Sequence, residues 1–231
     1  MTRAAIINTG RMNEAAPESY SEVNAAVVTP DPPRSTTPAG RDRVQARVAA
    51  IAWASDVIAR PDVVYLDTET TGIDGRAEIV EIAVVDGAGN TLLDTLIRPD
   101  GIIPYEVIRI HGIDDRMVAG APRWPEVYPD LLEILRERTI IVYNADFDFR
   151  LVNQMNRRCG FQGRSDRWHC AMKHYASFAT EWHVRHGNYR WHKLGVALAR
   201  FGHPDIEHRA RSDALACRLV VSGMAEAGHR H

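Results

Sequence analysis

The chain has 231 residues, 45% of them hydrophobic and 25% charged, which suits one full-sized domain with an appendage. A net charge of −2 excludes the whole-chain electrostatic footprint of a nucleic-acid binder, so a nucleic acid would have to be gripped locally or through metal ions. No apolar run reaches membrane-spanning length and the first twenty residues lack a signal-peptide core, so a cytoplasmic chain with no membrane partner is expected.

Residues 1–40 are rich in Pro, Ser, Thr and Gly around "TPDPPRSTTPAG" and are expected to be a disordered N-terminal segment. Residues 41–60 predict an amphipathic helix, a support packing on the domain or a partner-binding element: Val44, Val48, Ile51, Ala52, Ser55 and Ile58 recur at helical spacing, and Pro61 ends the run. The domain proper is expected over 61–228. It opens with three strand-like runs, "DVVYLDTET", "EIVEIAVVD" and "TLLDTLIRP", joined too tightly to be anything but antiparallel neighbours, with "DGAGN" as a hairpin turn. A short helix in "PYEVIRIHGI" and a longer one in "RWPEVYPDLLEILRER" come next, Pro125 lying in the latter's first turn. "TIIVYN" predicts a fourth strand leading into the helix "FDFRLVNQMNRRCG". "RWHCAM" predicts a fifth strand, followed by helices in "KHYASFATEW", "HKLGVALARFG" and "SDALACRLVVSGMAEAG". The order implies an α/β fold: a mixed five-stranded sheet, three antiparallel strands plus two parallel ones, flanked by helices. Cys159, Cys170 and Cys217 have no CxxC or finger spacing and read as reduced thiols.

Chemistry enters at the end of the first strand, where the apolar run Val63–Leu66 meets Asp67 and Glu69. Residues two apart on a strand share a face, so the two acids converge. A lone Asp-x-Glu is more often a solvated strand end. Behind a buried run, two like charges repel unless a cation lies between them, and oxygen-only ligands suit Mg²⁺ or Mn²⁺. The fourth strand offers a further acid, Asp148 or Asp146, at the carboxyl end of the sheet, although either could instead cap a helix. Ser212 and Asp213 open the last helix in the manner of a cap, with His208 just before them.

Taken together, "LDTETTG", "YNADFD" and "HRARSD" resemble the three motifs of the DEDDh group of 3′→5′ exonucleases, which includes the proofreading subunit of bacterial DNA polymerase III. The resemblance runs from Asp62 to Ala227. It matches Asp67, Glu69, Thr71 and Gly72 in the first motif and Asn144, Ala145, Phe147 and Asp148 in the second. In the third it matches His208, Ala210 and Asp213, and "HGI" (His111, Gly112, Ile113) is a further shared feature. Tyr143 stands where the family usually has histidine.

The resemblance implies a ribonuclease H-like fold and two divalent ions, Mg²⁺ or Mn²⁺. Asp67, Glu69 and Asp213 would hold one ion, and Asp67 with Asp148 the other. Two ions ~4 Å apart serve the attacking water on one side and the leaving 3′-oxygen on the other. His208 would be the general base that takes a proton from the attacking water. Thr70, Thr71, Gly72, His111, Ile113, Asn144 and Phe147 would contact substrate. The implied substrates are single-stranded or frayed 3′ ends, DNA ahead of RNA, released as nucleoside 5′-monophosphates, with a protein partner reached through the N-terminal segment. Two rivals share the fold: a catalytically silent module that binds nucleic acid or protein, and a ribonuclease H-type endonuclease. The stretch Glu181–Leu194, with two Trp, one Tyr and three His, reads either as a stacking edge helped by Arg185, Arg190 and Lys193 or as helix-end packing plus an exposed loop. His183, His186 and His192 lack the Cys or acid partners of a zinc site.

Overall fold

The computed structural model describes residues 38–163, 167–204 and 207–228, so the expectation for the N-terminal segment lies outside the described residues up to residue 37. The sheet has the expected composition. Strands β1 (Val63–Thr70), β2 (Ile79–Asp86), β3 (Thr91–Leu96), β4 (Thr139–Val142) and β5 (Trp168–Cys170) lie in the order β3-β2-β1-β4-β5. The β1/β2 and β2/β3 pairs are antiparallel, and β1/β4 and β4/β5 are parallel. The "DGAGN" turn closes as read: the Asp86 carboxylate accepts from the Ala88 and Asn90 N–H groups at 2.9 and 2.8 Å, and Gly89 takes a φ of 91°.

Both faces of the sheet are covered, which explains why its central strands are almost continuously apolar. Val63, Tyr65, Val85 and Ile141 point to one side. There they meet α1 (Gly40–Ala59), α6 (Ala171–Ala179), α7 (Leu194–Ala199) and α8 (Ala210–Glu226). Val64, Leu66, Ile82, Val84, Ile140 and Val142 point to the other, against α4 (Trp124–Ile134) and α5 (Ala145–Arg158). A smaller cluster of Val80, Ile103, Ile113 and Val118 sits under α2 (Tyr105–His111) and α3 (Asp115–Val118). The strand alternation therefore assigns β1 side chains before any contact is considered: odd residues face α8, even residues face α5.

Two expectations need correcting. The α1 helix runs from Gly40 to Ala59, but its buried face is Ala50, Ala54 and Val57, while Val44, Val48 and Ile58 are 62%, 59% and 48% exposed. Small side chains let α1 lie close on α6 and α8. A Cβ added to Gly228 at the end of α8 would come within 2.7 Å of Ile51, and Trp53 stacks on His174 with ring centroids 3.7 Å apart. Val44 and Val48 lie off that face and turn outward. The second correction concerns the run to Trp182. Helix α6 ends at Ala179, Thr180 adopts a left-handed φ of 58°, and the chain forms a hairpin of β6 (Trp182–His183) and β7 (Asn188–Tyr189). Among the described residues, no helix is long and apolar enough to cross a membrane.

Candidate active site

Asp67 and Glu69, at odd positions of β1, project to the α8 side of the sheet. Helix α8 begins at Ala210 after the extended residue Arg209, three positions earlier than a cap at Ser212 requires, so Asp213 lies in its first turn. That offset turns Asp213 toward β1. Ligand oxygens of Asp67, Glu69 and Asp213 all lie within 4.8 Å of one another. Chain segments nearly 150 residues apart thus place three half-buried acids in one spot.

Asp148 approaches from the opposite side of β1. It lies in the first turn of α5, is 3% exposed, and accepts a 2.7 Å hydrogen bond from the Thr68 hydroxyl, an even-numbered β1 side chain. The alternative Asp146 is exposed and pairs with Lys173 at 2.7 Å. His208, the residue before Arg209, keeps a side chain 63% exposed, with Nδ1 3.7 Å from the Asp213 carboxylate.

Electrostatics mark this cluster as strained without a cation. Burial first, then the Asp148 and Asp213 carboxylates, raise the Asp67 carboxyl well above the usual carboxylate range. Glu69 is pushed up to about 8 by burial and by Asp213, Glu81 and Asp148, with Arg209 pulling the other way. Asp148 rises to about 7 because it is buried, against the pull of the Thr68 hydroxyl bond. Oxygen donors this close, and this unwilling to ionise together, fit a hard divalent cation such as Mg²⁺ or Mn²⁺. Asp67, Glu69 and Asp213 would hold it, with Asp148 beside them.

The remaining expected residues frame the end of β1. A register shift between Glu69 and Thr70 bends the strand there, as bulges next to functional sites do. The Thr70 hydroxyl donates to the Gly72 carbonyl at 2.7 Å, and Thr71 Oγ1 accepts from the Glu78 N–H at 2.9 Å. His111 Nδ1 accepts from the Ile113 N–H at 3.0 Å, which leaves Nε2 as the protonated nitrogen, 3.3 Å from the Thr70 carbonyl. His111 is 5% exposed and braces the Thr70–Gly72 turn through the Thr70 carbonyl, while Ile113 is fully buried among Val80, Ile103 and Val118. Asn144 is exposed at the start of α5, and Phe147 is half-buried with the Arg150 guanidinium 5.3 Å from its ring centroid. Tyr143, the departure from the family pattern, is buried and donates its hydroxyl to the His192 carbonyl at 3.0 Å. It thereby ties the aromatic, His-rich loop to the end of β4.

Sequence reasoning did not single out Thr68, Glu81 or Arg209. A threonine between two acids and a glutamate inside the apolar run of β2 were the available signals.

The RNase_T exonuclease family matches residues 64–220. The chain belongs to the RNase_T exonuclease family. An uncharacterized exonuclease of Escherichia phage 186 is 37% identical to it over 185 residues, covering 76% of this chain and 92% of the phage protein. The DNA polymerase III subunit epsilon of Treponema pallidum is 31% identical over 164 residues, 68% of this chain and 74% of that protein. For the Rickettsia conorii epsilon subunit the match is 34% over 96 residues, 42% of its length. Among solved structures, the nuclease domain of 3'hExo, a DEDDh member bound to rAMP, has the same fold at 17% identity. Its TM-score is 0.59, covering 74% of this chain and 94% of that one. Exonuclease X in complex with 5′-overhanging duplex DNA matches with a TM-score of 0.50 at 27% identity, covering 72% and 93%. The ribonuclease H-like sheet of this exonuclease thus carries its acids where the strand ends meet two helix N-termini.

Proposed function

We propose that this DEDDh exonuclease removes nucleotides from single-stranded or frayed 3′ ends, DNA ahead of RNA, releasing nucleoside 5′-monophosphates with two bound Mg²⁺ or Mn²⁺ ions and His208 as general base. The observation that carries this reading is the convergence of Asp67, Glu69 and Asp213 oxygens within 4.8 Å, flanked by buried Asp148 and exposed His208. Bound divalent ions would supply the positive charge that offsets the substrate phosphate and stabilises the leaving oxygen.

The chain's own residues supply the rest. Asp213 faces His208 Nδ1, which leaves Nε2 of the exposed ring to take a proton from the attacking water. Thr68 holds Asp148 in place, and the braced Thr70–Gly72 turn offers backbone groups beside the acids for the terminal nucleotide. The preference for DNA rests on relatives named as DNA polymerase III subunits and on the DNA-bound Exonuclease X neighbour. The same subunit relatives favour a protein partner, which would be reached through residues 1–40.

The test uses 5′-labelled single-stranded DNA and RNA of matched sequence, together with a circular single strand, in Mn²⁺ and in excess chelator. A metal-dependent ladder shortening from the 3′ end, stronger on DNA, with the circle intact, is expected. Cutting of the circle points to an endonuclease, and no cutting of any substrate to a silent module.

A further inference from the structure

One buried carboxylate on the α8 side of the sheet belongs to none of the motifs. Glu81 of β2 lies directly opposite Glu69 of β1, on the same face, and is 2% exposed. Instead of adding a fourth acid to the group of Asp67, Glu69 and Asp213, it is turned to the start of α8. The Arg209 Nε donates to both Glu81 oxygens at 3.0 Å, Arg209 Nη2 donates to Oε1, and the Ala210 backbone N–H donates to Oε2 at 2.9 Å. Arg209 is the N-cap residue of α8 and makes no side-chain cap bond of its own, so a strand residue 129 positions earlier accepts from the first N–H of the helix. His208 immediately precedes the anchored residue, and the Asp213 N–H donates to the Arg209 carbonyl at 2.9 Å.

We propose that Glu81 and Arg209 are positioning residues: a two-point clamp that sets the first turn of α8 against β1, and so fixes Asp213 and His208 relative to Asp67 and Glu69. The bidentate fork fixes direction as well as distance, which a lysine at 209 would not reproduce. The Ala210 bond pins the helix start along its axis. Without the clamp, α8 would still pack through Ala214, Cys217 and Val221 on the sheet, but its first turn would no longer have a fixed azimuth. Asp213, one turn in, would leave the spacing that a divalent ion needs. The proposal rests on the exonuclease reading for the roles of Asp213 and His208, while the clamp itself is read through metal binding.

The experiment measures Mn²⁺ binding to the full chain by the loss of the free-ion paramagnetic resonance signal. Alongside it run melting temperature, kcat and oligonucleotide KM. Three proteins are compared with wild type: Glu81→Gln, Arg209→Lys, and the double variant Glu81→Met with Arg209→Leu. Glu81 is buried and Arg209 half-buried, and an ion pair withdrawn from water to this extent can be exchanged for apolar side chains at little cost in stability, so the double variant separates packing from positioning. Expected are Mn²⁺ affinity and kcat lowered about 10- to 100-fold, the scale for groups that orient metal ligands, with KM within about twofold. The double variant should keep its melting temperature. A purely structural pair would lower melting temperatures while folded protein bound Mn²⁺ as wild type does, and that result overturns the clamp. Should the double variant not fold, Mn²⁺ binding by Glu81→Gln decides alone. Weak Mn²⁺ binding by the variants beside a wild type that binds Mn²⁺ yet cleaves nothing retains the clamp and removes the exonuclease reading. A wild type that binds no Mn²⁺ overturns both.

Discussion

Helices α5 and α8 present their N-termini to opposite sides of the same strand end, and each carries its key acid at the fourth helical position. Asp148 follows Ala145 and Asp213 follows Ala210 by the same three residues. The helix dipole is therefore the same for both and cannot be what distinguishes them. Their surroundings do. Asp148 is sealed and held by the Thr68 hydroxyl, whereas Asp213 stands among the converging carboxylates with an exposed histidine beside it. The connections differ as well. Only Tyr143 and Asn144 separate β4 from α5, so the local chain sets Asp148, while α8 starts after a loop and is anchored by Glu81 from across the sheet. One acid is positioned by its neighbours in sequence, the other by a distant strand.

The largest effect should come from removing either end of the arrangement. Asp67→Asn and Asp148→Asn are each expected to lower kcat by orders of magnitude under saturating Mn²⁺. The metal-free protein should stay folded, with a melting temperature unchanged or raised, because mutual repulsion is relieved. If Asp148→Asn keeps most of its kcat, the α5 end does not belong to the chemistry and the comparison fails.

On the α8 side, His208→Ala should cost ~10²–10⁴-fold in kcat, the scale for a general base, and remove the acidic inflection of the pH–rate profile. Its melting temperature should not move, since the ring is exposed. An unstable variant with an unchanged profile would make His208 a packing residue. The matching test of the α5 side is Thr68→Val, which takes away the hydroxyl that lowers the Asp148 carboxyl. A loss of about 10-fold in Mn²⁺ affinity is expected, at the lower end for residues that orient ligands, and measurable by titration.

Smaller still is the response of the metal-free protein to pH. Glu69 at about 8 and Asp148 at about 7 both lie above ordinary carboxyl values, so the folded state binds more protons than the unfolded chain across the interval between. Stability must then fall as pH rises from about 5 to 8, and level off beyond. Melting curves across that range should drop by a few degrees without metal, and Mn²⁺ should reverse the trend. A flat metal-free profile would mean that the acids ionise without mutual cost. Least affected should be turnover on short oligonucleotides after deletion of residues 1–37. A large fall in kcat would place that segment at the active site.

Much of the site was legible because its signals are local. Period-two alternation put Asp67 and Glu69 on one face, and the acid-bearing motifs occur in an order that a strand, a strand–helix junction and a helix start can present together. The choice between Asp146 and Asp148 was not legible. Both lie in the first turn of α5, and only the packing of that helix against the even-numbered face of β1, where Thr68 waits, selects Asp148. The outward turn of Val44 and Val48 was equally hidden, because two faces of α1 are apolar and the closeness of α6 and α8 decides which one fits. Strands of two residues, as in the hairpin after α6, are too short to show a period.

By itself, then, the sequence determined which side chains share a face, where apolar strands run into acids, and hence the sheet, the exonuclease motifs and the oxygen-rich chemistry. Those are properties of residues a few positions apart, set by strand and helix geometry. The tertiary structure alone decided how α8 is rotated against β1, and that rotation is what brings Asp213 to Asp67 and Glu69. Its determinant is an ion pair between a buried Glu81 and a half-buried Arg209, 128 positions apart, which only the fold brings together and which leaves no periodic trace along the chain.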